Sequence, residues 1–137
     1  MRFMVLVKAT KDSEAGVLPT REQFAEMGKF NEQLVKDGVM LAGDGLQASS
    51  KGARMRFDGG RATVTDGPFA ETKELLAGFW IVQGKSKDEI ISRFMSAPFD
   101  RGEELEIRQI FEVEDFADNL PDDVREQEER RRSSSDA

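Results

Sequence analysis

Two short runs constrain this chain more than any other feature: Phe3-Met4-Val5-Leu6-Val7 and Phe79-Trp80-Ile81-Val82. Neither alternates between apolar and polar. Successive side chains of a strand point to opposite faces, so a run that is apolar at every position belongs to a strand covered on both sides. Such strands lie at the centre of a sheet. Both runs are far too short to cross a bilayer. The question they pose is what covers the two faces.

Amphipathic helices answer for one face. Pro19-Thr20-Arg21-Glu22-Gln23 is a helix start, with Thr20 as N-cap and Gln23 at the capping-box position. Phe24, Met27, Phe30/Asn31 and Leu34/Val35 then form one apolar stripe, and Gly38 is placed to end the helix in a left-handed conformation. Ser86-Lys87-Asp88-Glu89 is a second capping box, followed by a stripe of Ile90, Ile91, Phe94 and Met95 that stops before Pro98. Residues 10–18 are polar and read as a loop. Residues 39–42 read as a strand. Residues 54–57 and 61–65 flank Asp58-Gly59-Gly60, a hairpin signal. Leu105, Ile107, Gln109, Phe111 and Val113 alternate with Glu106, Arg108, Ile110 and Glu112, a closing strand with one wetter face.

The order is strand, helix, strand, hairpin, strand, helix, strand. That is a ferredoxin-like βαββαβ arrangement of the α+β class with an inserted hairpin. No third amphipathic helix is available for the second face of its sheet. Two sheets packed face to face in a homodimer, a dimeric α+β barrel, would cover it.

Residues 1–116 read as this one domain, and residues 117–137 as a charged, flexible tail with almost no apolar face. In that tail carboxylates lead and arginines trail, so a helix over residues 122–132 would suit the helix dipole. A net charge of −7 argues against a nucleic-acid partner, which needs a dense basic face. The chain has no His and no Cys. Thiolate and imidazole chemistry are therefore absent, and no metal and no cofactor are expected. The first apolar run ends at Lys8, too short for a signal sequence, so the expected compartment is the cytoplasm, with no membrane partner.

Chemistry is concentrated in Asp66-Gly67-Pro68-Phe69-Ala70-Glu71-Thr72-Lys73-Glu74. Gly67-Pro68 suits a tight turn at a strand end. Asp66 is expected either to accept backbone N–H bonds across that turn or to face a ligand. Phe69 plugs the core or lines a pocket. Glu71, Lys73 and Glu74 are either a solvated loop or a lysine flanked by carboxylates at a cleft mouth, where a carboxylate could act as a base. Arg54 and Arg56 share one face of their strand and would favour an anionic ligand if that face lines the cleft. Gly43-Asp44-Gly45 lacks the third glycine of a dinucleotide site. Asp12 and Glu14 could meet Asp44 or Asp66 around a hard cation, but their spacing is not that of a calcium loop. Ser49-Ser50-Lys51 has no neighbouring base and reads as a loop.

The run from Thr65 through Glu74, followed by Gly78-Phe79-Trp80, resembles the YCII-related family in its DGPF-domain subgroup. The opening Met1-Arg2-Phe3-Met4 and the closing Glu104-Leu105-Glu106-Ile107-Arg108 fit the same pattern. The resemblance covers roughly residues 1–116. It implies a bacterial, dimeric α+β barrel of ferredoxin-like subunits with a cleft beside the sheet. Members are commonly encoded near extracytoplasmic-function sigma factors, and their activity is generally unassigned. Related proteins carry a His–Asp pair proposed as catalytic. With no His here, only Asp66 is carried over. The expected function is binding of a small, anionic molecule by Arg54, Arg56, Asp66, Phe69 and Lys73. Any chemistry would be isomerase- or lyase-type proton transfer, with Asp66 as base ahead of Glu71 or Glu74. The alternative is a non-enzymatic regulatory module of sigma-factor signalling, with the charged tail as contact.

Overall fold

The computed structural model describes residues 1–135. In chain order its elements are β1 (Arg2–Lys8), α1 (Lys11–Glu14), α2 (Arg21–Lys36), β2 (Met40–Gly45), β3 (Ala53–Asp58), β4 (Arg61–Asp66), β5 (Leu76–Gln83), α3 (Lys87–Phe94), β6 (Leu105–Gln109) and α4 (Asp122–Ser135). Short 3-10 turns lie at Ser49–Lys51, Thr72–Glu74 and Val113–Phe116.

The main sheet has the order β2-β5-β1-β6, with every neighbouring pair antiparallel. This is the ferredoxin-like order, and the two doubly apolar runs are its two central strands. β3 and β4 form a separate two-stranded sheet inserted between β2 and β5. Its turn is built on Gly59 and Gly60, with φ of 56° and 88°. Positive φ at both turn positions matches the twist of the flanking strands.

Val5 sits opposite both Trp80 and Ile107, which sets the faces of the sheet. Phe3, Val5, Trp80 and Val82 point to one face and pack with Leu34 of α2 and with Ile90 and Phe94 of α3. Phe3, Val5 and Val82 are 0% exposed. Each such side chain contributes about 1.5–3 kcal/mol by leaving water. Trp80 anchors this core, with Phe30, Phe94 and Phe99 edge-on at 6.2, 5.1 and 6.1 Å. Its indole N–H donates to Asn31 Oδ1 at 2.9 Å, so the polar member of the α2 stripe satisfies the one polar atom of the tryptophan. Gly43 makes room beside it, because a Cβ there would lie 2.9 Å from the Trp80 ring. On the other face Met4, Leu6, Phe79 and Ile81 are only half-buried.

The helix α2 begins as expected. Thr20 and Gln23 form a reciprocal capping box, and α2 ends in a Schellman turn. There Gly38 has φ 70°, and the Val39 N–H donates to the Leu34 carbonyl at 2.8 Å. Arg93 of α3 pairs with Asp37 at the end of α2 at 2.6 Å, clamping the helices together.

Several expectations need correction. Residues 10–18 are not simply loop: Thr10 and Ser13 form a capping box that opens α1. β2 continues to Gly45 instead of ending at Ala42. The apolar stripes are wider than the surface the sheet covers, so Phe24 and Val35 are exposed and Met95 is 79% exposed. Glu89 turns its carboxylate to the Lys85 N–H, while Ser86 alone caps α3. β6 stops at Gln109, and Val113 is buried from the following 3-10 turn instead of from a strand.

Beyond Phe116 the described residues include α4, the helix that the order of charges allowed. Arg132 reaches Glu112 Oε2 at 2.7 Å, and Arg2 reaches Glu112 Oε1 at 2.8 Å. The Arg2 hydrogen bond first, and the charges of Arg2 and Arg132 after it, hold the Glu112 carboxyl below its ordinary pKa. The end of the expected tail, residues 136–137, lies outside the described residues. Among the described residues no helix is long and apolar enough to cross a membrane.

Candidate functional site

The segment between β4 and β5 is held against the 3-10 turn Ser49–Lys51 by close backbone packing. The Gly67 N–H donates to the Gly52 carbonyl at 3.0 Å. A Cβ on Gly67 would fall 1.8 Å from the Ser49 carbonyl oxygen. Glycine is required here by this close approach, since Gly67 is not among the glycines with positive φ. The following peptide bond, Gly67-Pro68, is cis.

Ser49 is the node of the site. Its Oγ accepts the Phe69 N–H at 3.1 Å. Its own N–H donates to Glu14 Oε2 at 2.9 Å, and its hydroxyl donates to Glu14 Oε1. Glu14 sits at the end of α1. One serine therefore ties together three stretches of chain: α1, the turn after β2, and the segment before β5. Arg54 on β3 completes the wall. Its guanidinium lies 3.8 Å from the Phe69 ring centroid and 3.9 Å from the Glu71 carboxylate. The stacking is worth about 0.5–1 kcal/mol at an exposed site, and so loose and exposed an ion pair about 0–1 kcal/mol.

A cleft of about 540 Å³ opens beside these groups. Ser49, Lys51, Arg54, Phe69 and Glu74 line it, together with apolar walls at Leu46, Leu75 and Leu76. Of the residues singled out in sequence, Arg54, Phe69 and Glu74 line the cleft, and Glu71 reaches Arg54 from its edge. Asp66, Arg56 and Lys73 are exposed and do not line it. The hairpin register explains the first two. Asp66 pairs with Ala53 and Arg54 with Thr65, so Asp66 and Arg54 project from opposite faces of the ribbon. Arg56 shares the Arg54 face but lies two residues further from the cleft. The turn cap expected of Asp66 is not formed: among the described residues its carboxylate accepts no hydrogen bond, and Gly52 takes the Gly67 N–H instead.

Sequence reasoning missed the pairing of Ser49 and Glu14. Ser49 does have a carboxylate neighbour, 35 residues away in the chain. The only sequence signal was the Thr10/Ser13 capping box, which would have placed Glu14 on a helix, though not beside Ser49. Among the described residues no group of three or more acidic side chains is arranged to hold a metal ion.

The fold and this cleft define the class: a ferredoxin-like α+β domain with a hairpin inserted before its third sheet strand. The model of the YCII-related domain matches residues 1–114, and the chain belongs to that family. An uncharacterised protein of Rhizobium meliloti (strain 1021) is 44% identical over 46 residues, which cover 34% of this chain and 37% of that protein. The match thus spans little more than a third of the curated relative. Among solved structures, 5-chloro-2-hydroxyhydroquinone dehydrochlorinase from Burkholderia phenoliruptrix AC1100, in complex with 2,5-dihydroxybenzoquinone, is similar over 83% of this chain and 98% of that one. The identity is 18% and the TM-score 0.40.

Proposed function

We propose that this protein binds a small anionic molecule in the cleft beside Phe69, with Arg54 as its anchor. The observation that carries this is the state of the Arg54 guanidinium. It is held on an aromatic face at the cleft wall and makes no hydrogen bond among the described residues, its nearest carboxylate standing off at 3.9 Å. A guanidinium offers a fork of N–H donors that matches a carboxylate or phosphate bidentately. Lys51 adds a second positive charge to the same wall, and the leucines accommodate an apolar body. Glu74 is the acidic side chain of the cleft lining and takes the role of base in any proton-transfer chemistry, ahead of Asp66 and Glu71.

Titration calorimetry with small carboxylates tests the reading. Arg54→Gln should weaken binding at least about tenfold, equivalent to about 1.4 kcal/mol. Affinity unchanged in this variant overturns the assignment.

The same proposal places the chain in the DGPF subgroup, in the cytoplasm, as a homodimer closed over the open sheet face. Half-buried Met4, Leu6, Phe79 and Ile81 support the dimer. So does the hairpin: Met55, Phe57 and Val64 share one face and are all exposed, Phe57 by 76%. A lone two-stranded ribbon is marginal in water, and a second copy would cover it. Sedimentation of a monomer at micromolar concentration refutes the dimer.

A further inference from the structure

Ser49 lines the cleft, and the hydrogen-bonding capacity of its hydroxyl is almost fully assigned. A serine oxygen has one proton to donate and two lone pairs to accept with. The proton is directed to Glu14 Oε1. Glu14 Oε2 accepts the Ser49 N–H at 2.9 Å, so both carboxylate oxygens are turned to this one residue. An ionised carboxylate only accepts, which leaves the hydroxyl no alternative orientation with respect to it. One lone pair accepts the Phe69 N–H at 3.1 Å. One lone pair remains, on an atom of a cleft-lining residue.

We propose that Ser49 is a specificity residue of the cleft, locked by Glu14 and the Phe69 backbone as a pure hydrogen-bond acceptor, and that the ligand is an acid carrying a hydroxyl or amine donor as well as its anionic group. The inference rests on the anion-binding reading of the same cleft. Arg54 recognises the charge, and Ser49 distinguishes acids that can donate from those that cannot. Glu14 acts through Ser49 and touches no ligand. An acceptor-only ligand group set against Ser49 meets lone pair with lone pair and leaves both undonated, which costs more than an absent contact.

Substituting Glu14 with Gln changes this logic without changing shape. The Gln carbonyl can still accept the Ser49 N–H, but its amide must donate to Ser49 Oγ. The serine proton is then released toward the cleft, and Ser49 becomes a donor.

The test uses matched triplets of acids on the full chain: propionate, butyrate and benzoate, each with its 3-hydroxy and 3-methoxy derivative. Affinities are read by chemical-shift titration, with a melting curve for each variant. The wild type should prefer the hydroxy acid over its parent by about two- to tenfold, and should bind the methoxy acid less well than the parent. Ser49→Ala should bind all three members of a triplet alike. Glu14→Gln should relieve the penalty on the methoxy acid while melting as the wild type does. Equal affinity for parent and hydroxy acids, with binding still lost in Arg54→Gln, overturns the Ser49 assignment and leaves the anion reading standing. A hydroxy preference that persists in Ser49→Ala, or a methoxy penalty that persists in Glu14→Gln, overturns it likewise. Binding by no triplet, or binding indifferent to Arg54→Gln, overturns the anion reading and this inference with it.

Discussion

Replacing Gly67 with Ala tests the packing on which the whole site depends. The added methyl would sit 1.8 Å from the Ser49 carbonyl oxygen and 2.6 Å from its carbon. Both are backbone atoms, so no rotamer change relieves the contact. The segment before β5 must move away from the Ser49–Lys51 turn. Overpacking of this kind costs about 1–3 kcal/mol. Two hydrogen bonds cross the same contact, from Gly67 N–H to Gly52 and from Phe69 N–H to Ser49. Losing either adds about 0.5–1.5 kcal/mol. The expected cost is therefore roughly 2–4 kcal/mol, read as a lower urea midpoint at unchanged m-value. Gly28→Ala is the control. Gly28 lies within α2, and a Cβ there meets nothing within 4 Å, so the exchange should stabilise by up to about 1 kcal/mol. The reasoning is refuted if Gly67→Ala unfolds at the wild-type midpoint, or if the two glycines respond alike.

Three further outcomes are expected. Glu112 has its carboxyl held below the ordinary 4.5 by Arg2 and Arg132, so the stability it contributes is present above that value and lost as pH falls through the lower folded value. The stability gap between the wild type and Glu112→Gln should thus be constant from neutral pH down to about 5 and narrow in more acidic buffer; a gap that widens on acidification contradicts the sign. Deleting the chain beyond residue 117 should change stability by less than about 1 kcal/mol, because α4 is tied to the body by the partly exposed ion pair of Arg132 with Glu112 and by hydrogen bonds of Arg125 and Arg132 to the Ala117 and Phe111 carbonyls, and a truncated protein that fails to fold shows that the helix is integral. Asp66→Asn should melt within about 0.5 kcal/mol of the wild type, since among the described residues the carboxylate makes no hydrogen bond that Asn would lose; a clear loss in thermal denaturation would contradict this.

The elements that could be foreseen are those specified by neighbours in the chain. An N-cap three residues before its partner, two consecutive glycines between β-forming runs, and strands apolar at every position are local patterns whose geometry leaves few outcomes. They determined α2, α3, the hairpin and the two central strands of the sheet. Side-chain exposure on those elements was less legible. Phe24 and Met95 obey the helical period, but the sheet covers only part of each stripe, and a period carries no information on how wide the opposing surface is. The motif shows the limit most clearly. The family motif points to Asp66 and the shared strand face to Arg54 as ligand contacts, but the ribbon register sends the two to opposite faces. Gly67-Pro68 suits a tight turn in sequence, but what forbids a side chain at Gly67 is the carbonyl of Ser49 on another segment. Glu14 and Ser49, separated by 35 residues, meet only because α1 and the turn after β2 pack against the same end of the sheet. The chemistry of the cleft is a product of that packing, and no local pattern encodes which distant side chains the packing brings within hydrogen-bonding distance.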